Sequence, residues 1–334
     1  PSHPCGGAKT CYVDVNVAEM WTSPEQVRKV DAPALTNPAD VRGWLTAMGR
    51  EGEVRRDIPG ETQGLYGTEV TVEKTQKDEN GLLWDYVLVH HQPSPKDPGE
   101  SGSYPGWVPD RQLTSKKATP PADAKTRRIT DPTAWGYTTP EAAAGSNASG
   151  RATEYSYGTV FAVQPSGVEG VEKALTNDGG SVYFRADDLA STPSKPTGQD
   201  AVDQARKFLG LDYLWSGTSG FGYDCSGLTS QVYAALGITI PRDTQPQFDA
   251  GDGRGPAGSA KGTRIAKDDV DALKPGDIVF FGKDDTQVTH SGIYIGTVDG
   301  KATMIDSPRT GERVREEPVV SAARNYLGAT RFIQ

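Results

Sequence analysis

Tyr223-Asp224-Cys225-Ser226-Gly227-Leu228-Thr229-Ser230-Gln231-Val232-Tyr233 is the stretch whose reading decides the fold of the last third of this chain. Upstream lies the glycine-rich run Ser216-Gly217-Thr218-Ser219-Gly220-Phe221-Gly222. Downstream, Leu228, Val232 and Leu236 recur at helical spacing and mark one buried helix face. Cys225 therefore stands where loop becomes helix. Unpaired N–H groups and the positive end of the helix dipole meet there, and both favour a thiolate. The alternative is a small buried cysteine that packs a helix, and the stretch alone does not choose between the two.

Bulk properties narrow the field. With 334 residues the chain is long enough for two or three domains. Its 24% charged and 35% hydrophobic residues suit a soluble globular protein rather than a disordered one. A net charge of −9, with no long basic stripe, argues against a nucleic-acid surface. No apolar run reaches the roughly 18 residues of a membrane span. Cys5 and Cys11 sit close together near the start and predict a bridge around Gly6-Gly7, which would suit an exported, oxidising setting. The opening Pro1-Ser2-His3-Pro4, without methionine, reads as a trimmed mature form. Cys225 is then the odd thiol, flagged as reactive.

Residues 12 to about 115 read mostly as strands. Glu69-Val70-Thr71-Val72-Glu73 alternates, Leu82 to Val89 is long and β-branched or aromatic, and Asn80-Gly81 signals a tight turn. Asn37-Pro38-Ala39-Asp40 predicts a helix start, with Asn37 as cap and Pro38 in first position, leading into Val41, Trp44, Leu45 and Met48. Residues 93–103 read as a loop, and 114–126 as a polar linker. A second strand-rich block runs to about residue 190, with a mobile polar tip expected from Ala142 to Arg151. Another linker, Ser191 to Gly198, precedes a predicted helix from Asp200 to Leu209. Beyond the Cys225 helix come a flexible glycine-rich segment, Gly251 to Gly262, and apolar strands at 277–281, 291–295 and 302–305. Helices first and antiparallel strands later predict an α+β unit.

A cysteine nucleophile needs a base, and the base needs an orienting group. His290 is the only imidazole of the C-terminal third; His3, His90 and His91 lie in the first block. Asp306 ends the strand after His290 and is the candidate orienter, its alternative being a turn aspartate ahead of Ser307-Pro308-Arg309.

Tyr213-Leu214-Trp215-Ser216-Gly217, Asp224-Cys225-Ser226-Gly227-Leu228, Ile240-Pro241-Arg242-Asp243-Thr244, Leu273 to Phe281, His290-Ser291-Gly292-Ile293-Tyr294-Ile295-Gly296 and Ile305-Asp306-Ser307-Pro308-Arg309-Thr310-Gly311 together resemble the NlpC family of papain-like cysteine peptidases, which cut cell-wall peptides. One position departs: the family often has histidine where this chain has Asp306. The two upstream blocks resemble bacterial SH3-like domains, the first through its Gly106-Trp107-Val108 ending and the second, more loosely, through Tyr183 to Leu189.

The resemblance implies an α+β papain-like catalytic domain at 199–334, preceded by two small all-β SH3-like barrels at 1–115 (with a helical insert) and 126–190. That arrangement is similar to the YkfC-like γ-D-glutamyl-L-diamino-acid endopeptidases. It implies catalysis by Cys225, His290 and Asp306, with Tyr213 beside the nucleophile as a donor to the oxyanion or else a core aromatic. It places Asp224, Ser226, Arg242, Asp243 and Tyr104 at the substrate, Asp243 meeting a free N-terminal amine. The alternative for Arg242-Asp243 is an internal ion pair that fixes its loop. The implied partners are peptidoglycan stem peptides or muropeptides, with no cofactor, no metal, a monomeric state and an extracytoplasmic location, secreted or wall-associated. Three rival readings stay open: a lysin for intact sacculi, an inactive wall-peptide binder, and a papain-fold amidase or acyltransferase.

Overall fold

A computed structural model of the chain describes residues 4–97 and 102–334. The expected loop at 93–103 and the opening Pro1-Ser2-His3 lie partly or wholly outside those residues.

The first block folds into one antiparallel seven-stranded sheet. Its strands are Thr10–Val13, Val17–Trp21, Gly60–Leu65, Glu69–Lys77, Leu83–Val89, Tyr104–Pro109 and Leu113–Thr114. Alternate residues point inward, so Val13, Met20, Val70, Val87, Val89, Val108 and Leu113 meet in one core. The Cys5–Cys11 disulfide, with Cα atoms 6.1 Å apart, seals the end of that core. The helical insert begins later than its sequence suggests, at Val41–Met48. Asn37-Pro38 is a cis peptide outside the helix. Asp40 is the cap instead, its Oδ1 accepting from the Gly43 N–H at 2.8 Å. The insert buries Val41, Trp44 and Met48, and Trp44 meets Trp21 edge-on with ring centres 5.8 Å apart.

The second block forms another seven-stranded antiparallel sheet over residues 125–190. Tyr155, Phe161, Val163, Val182 and Phe184 fill its core. The tip expected as a loop is partly ordered. Thr139 Oγ1 accepts from Ala142 N–H at 3.1 Å and caps a short helix, Pro140–Ala144, with a 3-10 turn at Ala148–Gly150. Thr139-Pro140 is a cap followed by proline in first position, a start signal outside the quoted tip.

In the third block the first helix is Gly198–Arg206, starting two residues before Asp200. Thr197 and Asp200 exchange cap hydrogen bonds of 3.2 and 2.7 Å, so Asp200 completes the cap from inside the helix. The Cys225–Ala235 helix follows, then Thr244–Asp249. A six-stranded antiparallel sheet backs them, in the spatial order Thr263–Ile265, Tyr326–Arg331, Ile278–Gly282, Val288–Val298, Lys301–Asp306, Arg315–Pro318. Leu228, Val232 and Leu236, the predicted helix face, pack with Val202 and Phe208 against Ile278, Phe280, Ile293 and Ile305. Truncating a fully buried leucine such as Leu228 costs roughly 2–5 kcal/mol. This packing fixes the start of the Cys225 helix against the strand that carries His290.

The first sheet docks onto the third block beside that helix. Thr218 N–H donates to Gln63 Oε1 at 2.8 Å, and Trp215 Nε1 donates to the Gly60 carbonyl at 3.1 Å. Phe221 sits among Val17, Val41 and Leu65. The second block abuts the same loop at Gly220, where a Cβ would fall 1.7 Å from the Pro132 oxygen.

Candidate active site

Cys225 is the first residue of its helix and is partly exposed. Asp224 caps it in extended conformation, Oδ1 accepting from Gly227 N–H at 2.7 Å. Gly227 is required by close approach: a Cβ there would lie 2.0 Å from the Gly217 oxygen. Burial pushes the Cys225 thiol up, but the hydrogen bond and positive charge of His290 outweigh it, and Thr244 adds a further pull. The net result lies below the ordinary thiol value. Thr244 Oγ1 is 3.6 Å from the sulfur.

His290 is the third residue of the Val288–Val298 strand and is 5% exposed. Its Nε2 is 2.6 Å from Asp306 Oδ2. Antiparallel pairing of Val288–Val298 with Lys301–Asp306 brings the two together, as their strand-end positions predict. Nδ1 is the nitrogen left to address the sulfur. Asp306 is fully buried, and burial raises its carboxyl above the usual range, opposed by the neighbouring Glu317 side chain and by Arg324 and Arg315. Tyr213 is 6% exposed, and burial together with the charges of Cys225 and Asp224 drives its hydroxyl far up. It is a protonated donor within electrostatic reach of Cys225.

Arg242, expected at the substrate surface, is instead 1% exposed. Its Nη2 donates to Asp224 Oδ2 at 2.7 Å and to the Ser216 carbonyl at 3.1 Å. Nη1 donates to Asp224 Oδ1 and Ser226 Oγ, each at 3.0 Å, and Nε to Thr62 Oγ1 at 2.7 Å. Thus Asp224, Ser226 and Arg242 spend their polar atoms on one internal brace. It pins the start of the Cys225 helix, the left-handed turn at Ser216 and the first sheet to one another. A buried charge needs that degree of satisfaction. The internal ion pair is the reading the geometry follows for Arg242.

Asp243, next in sequence, turns the other way. Tyr104 of the first sheet donates its hydroxyl to Asp243 Oδ2 at 2.8 Å. Lys96 Nζ donates to Tyr104 Oη and to Glu61 Oε2, both at 2.8 Å, and stands 4.0 Å from Asp243 Oδ2. An ammonium group thus already occupies a seat made by two carboxylates and a phenol. Trp215, 49% exposed, lies on the same edge through its bond to Gly60.

Residues 210–331 match the NlpC/P60 family. The chain is 34% identical, over 96% of its length and 90% of the relative's, to a γ-D-glutamyl-L-lysine dipeptidyl-peptidase of Bacillus cereus (strain ATCC 10987 / NRS 248). This chain belongs to the NlpC/P60 family. It is a cysteine-type peptidase, and so a hydrolase. A Bacillus subtilis (strain 168) protein of the same description is 33% identical, over 89% of this chain and 90% of that one. The crystal structure of an NlpC/P60 family protein from Bacillus cereus ATCC 10987 superposes with a TM-score of 0.76 at 32% identity, covering 97% of this chain and all of that one.

Among the described residues two clusters place possible metal-ligand atoms within 4.8 Å of one another: Cys5, Asp85 and Asp110, and His290, Asp306 and Glu317. The sulfur of Cys5 is committed to its disulfide. Beside the second cluster, Arg324 and Arg315 oppose a cation. No helix among the described residues is long and apolar enough to cross a membrane.

Sequence reasoning missed Glu61, Lys96, Thr244 and Glu317. Thr244 was within reach, since it follows Asp243 and opens a helix. Glu61 and Lys96 come from the first block and carry no local signature of a site.

Proposed function

We propose that this NlpC/P60 peptidase cleaves the amide between γ-D-glutamate and an L-diamino acid, diaminopimelate or lysine, in peptidoglycan stem peptides that begin with a free L-alanine amine. The relatives' descriptions support the bond. The ammonium seat supports the free amine, and it is the observation that carries the reading. Lys96 fills it with the same chemical group that an N-terminal alanine would present. Asp243 immediately precedes Thr244, whose hydroxyl touches the Cys225 sulfur. That adjacency supports a short N-terminal segment between seat and nucleophile, and a chain blocked at its amine would cover the two carboxylates without an ammonium partner.

In this mechanism the Cys225 thiolate attacks the γ-carbonyl carbon of D-glutamate. The oxyanion is held by the Cys225 N–H at the helix start and by the Tyr213 hydroxyl. Imidazolium His290, oriented through Nε2 by Asp306, gives its proton to the departing amine of the diamino acid. The C-terminal fragment leaves and an L-Ala-γ-D-Glu thioester remains. His290 then takes a proton from water, which attacks the thioester and releases the dipeptide. Asp224, Ser226 and Arg242 act at a distance, by holding the helix start. The two β blocks are read as SH3-like, dividing the chain at 1–115, 126–190 and 199–334. Their separate cores and polar linkers support that division, and the first supplies Tyr104, Glu61 and Lys96.

Incubation with L-Ala-γ-D-Glu-L-Lys and its diaminopimelate counterpart, followed by mass spectrometry, tests the reading. Release of L-Ala-γ-D-Glu, absent with Cys225→Ala, is expected. Cleavage at another bond, or undiminished turnover by the alanine variant, would contradict it.

A further inference from the structure

Behind the catalytic histidine stands a second carboxyl group that the mechanism above does not use. The Arg315–Pro318 strand pairs antiparallel with Lys301–Asp306, placing Glu317 opposite Met304 and so diagonal to Asp306. One ligand-type atom from each of His290, Asp306 and Glu317 lies within 4.8 Å of the others. Asp306 spends Oδ2 on His290. Its other oxygen, Oδ1, is buried without a donor, and so is Glu317 Oε1. Arg324 Nε stands 3.6 Å from that Glu317 atom, too far for a hydrogen bond. Two buried acceptor atoms of neighbouring carboxyls are both satisfied by a single proton between them, and both remain orphaned without it.

We propose that Glu317 is a positioning residue for catalysis: its protonated carboxyl donates to Asp306 Oδ1 and holds that carboxylate in line with His290. The proposal rests on the Cys225–His290–Asp306 assignment. The proton resides on Glu317 because Asp306 already accepts the imidazole N–H. Burial and the hydrogen bond with Asp306 push the Glu317 carboxyl up to about 7. The charged groups around the pair are His290 and Asp306 on the two strands in front, Arg315 on its own strand with Nη2 3.0 Å from Glu317 Oε2, and Arg324, whose Nη2 is 3.8 Å from Asp306 Oδ2. Glu312 is held by Arg315 at 3.7 Å and faces Asp306 from the preceding loop. The arginines limit the repulsion when the proton is lost but cannot replace the donor, since neither reaches Asp306 Oδ1.

Losing that proton leaves two adjacent carboxylates, which repel, and Asp306 is released from His290. The natural protein should therefore show an ionisation near pH 7 in kcat, with activity falling on the alkaline side. Glu317→Gln provides a donor that does not titrate. It should keep the kcat measured below pH 7 and lose the alkaline fall. Glu317→Ala should lower kcat about tenfold at pH 6 with KM unchanged, the size expected for a lost hydrogen bond to a charged group. The same three proteins are compared by the pH dependence of Cys225 alkylation with iodoacetamide, which needs no substrate. A wrong substrate assignment thus leaves this readout intact. An inflection near pH 7 that is present in the natural protein and absent from Glu317→Gln supports the proposal. Identical pH profiles in the two, or an alanine variant with natural kcat and alkylation rate, overturn it.

Discussion

Tyr104 donates its hydroxyl hydrogen to Asp243 across 139 residues of sequence, at 2.8 Å. The bond joins the first β sheet to the cap of the helix that opens on Thr244, whose hydroxyl is 3.6 Å from the Cys225 sulfur. In the proposed mechanism the site is therefore completed by a block that takes no part in bond breaking. Burial and the charge of Asp243 drive the Tyr104 hydroxyl far above its usual range, so it stays a donor at all working pH values. Tyr104→Phe should raise KM for a free-amine peptide about tenfold, with kcat changed little, because one hydrogen bond to a charge is lost from binding alone. Steady-state kinetics check this. An unchanged KM would place the amine elsewhere.

Lys96 holds the ammonium seat when substrate is absent. An incoming amine must displace it, which lowers apparent affinity by the fraction of time the seat is filled. Lys96→Met keeps most of the side-chain volume and removes the charge. It should lower KM for the free-amine peptide by a few-fold and leave kcat alone. A higher KM would show that Lys96 assists binding rather than competing with it.

His290 sets the ionisation of Cys225, so the thiolate persists below the ordinary thiol range. At pH 6, iodoacetamide should label Cys225 in the natural protein. His290→Ala removes both the hydrogen bond and the charge that oppose burial, and labelling there should slow by about tenfold or more. Equal rates would mean that the helix terminus alone supports the thiolate.

Glu19 contributes a pH-dependent stability. It is 2% exposed beneath the docking surface, accepts from Gln63 Nε2 at 3.0 Å, and leaves Oε1 without a donor. Burial raises its carboxyl from 4.5 to about 8. The folded chain then retains a proton that the unfolded chain releases above 4.5, so folding stability declines between pH 4.5 and 8. The whole effect is bounded by ~5 kcal/mol for a shift of this size. Glu19→Gln should raise the melting temperature more at pH 8 than at pH 5. A uniform change across that range would argue that Glu19 is already charged in the fold.

How much of this was legible in the sequence follows from how local each signal is. Leu228, Val232 and Leu236 follow Cys225 at helical spacing, so the pattern exposed the core face and put the cysteine at a helix start, while its chemical role needed the rest of the chain. His290 lies near the start of one strand and Asp306 ends the next, so the antiparallel pattern made Asp306 a candidate partner, and the 2.6 Å contact chooses it over a turn aspartate. Arg242 was harder, because an arginine beside an aspartate reads equally as surface charge or internal brace. Only the burial of its guanidinium among Asp224, Ser226 and Thr62 decides. Helix starts shifted where a cap stood nearby: Asp40 caps in place of Asn37, and Thr197 sets a start two residues ahead of Asp200. Glu61, Lys96 and Glu317 reach the site through sheet docking and cross-strand register, which depend on tertiary contacts that no short window contains.

The central claim is that a carboxylate-lined seat measures the substrate from its free amine. The most direct test compares kcat/KM for L-Ala-γ-D-Glu-L-diamino-acid peptide with that for the same peptide acetylated on alanine. Acetylation should reduce kcat/KM by at least about a hundredfold, since it removes the charge and leaves the two carboxylates facing an amide. Equal values for the two peptides would contradict the account.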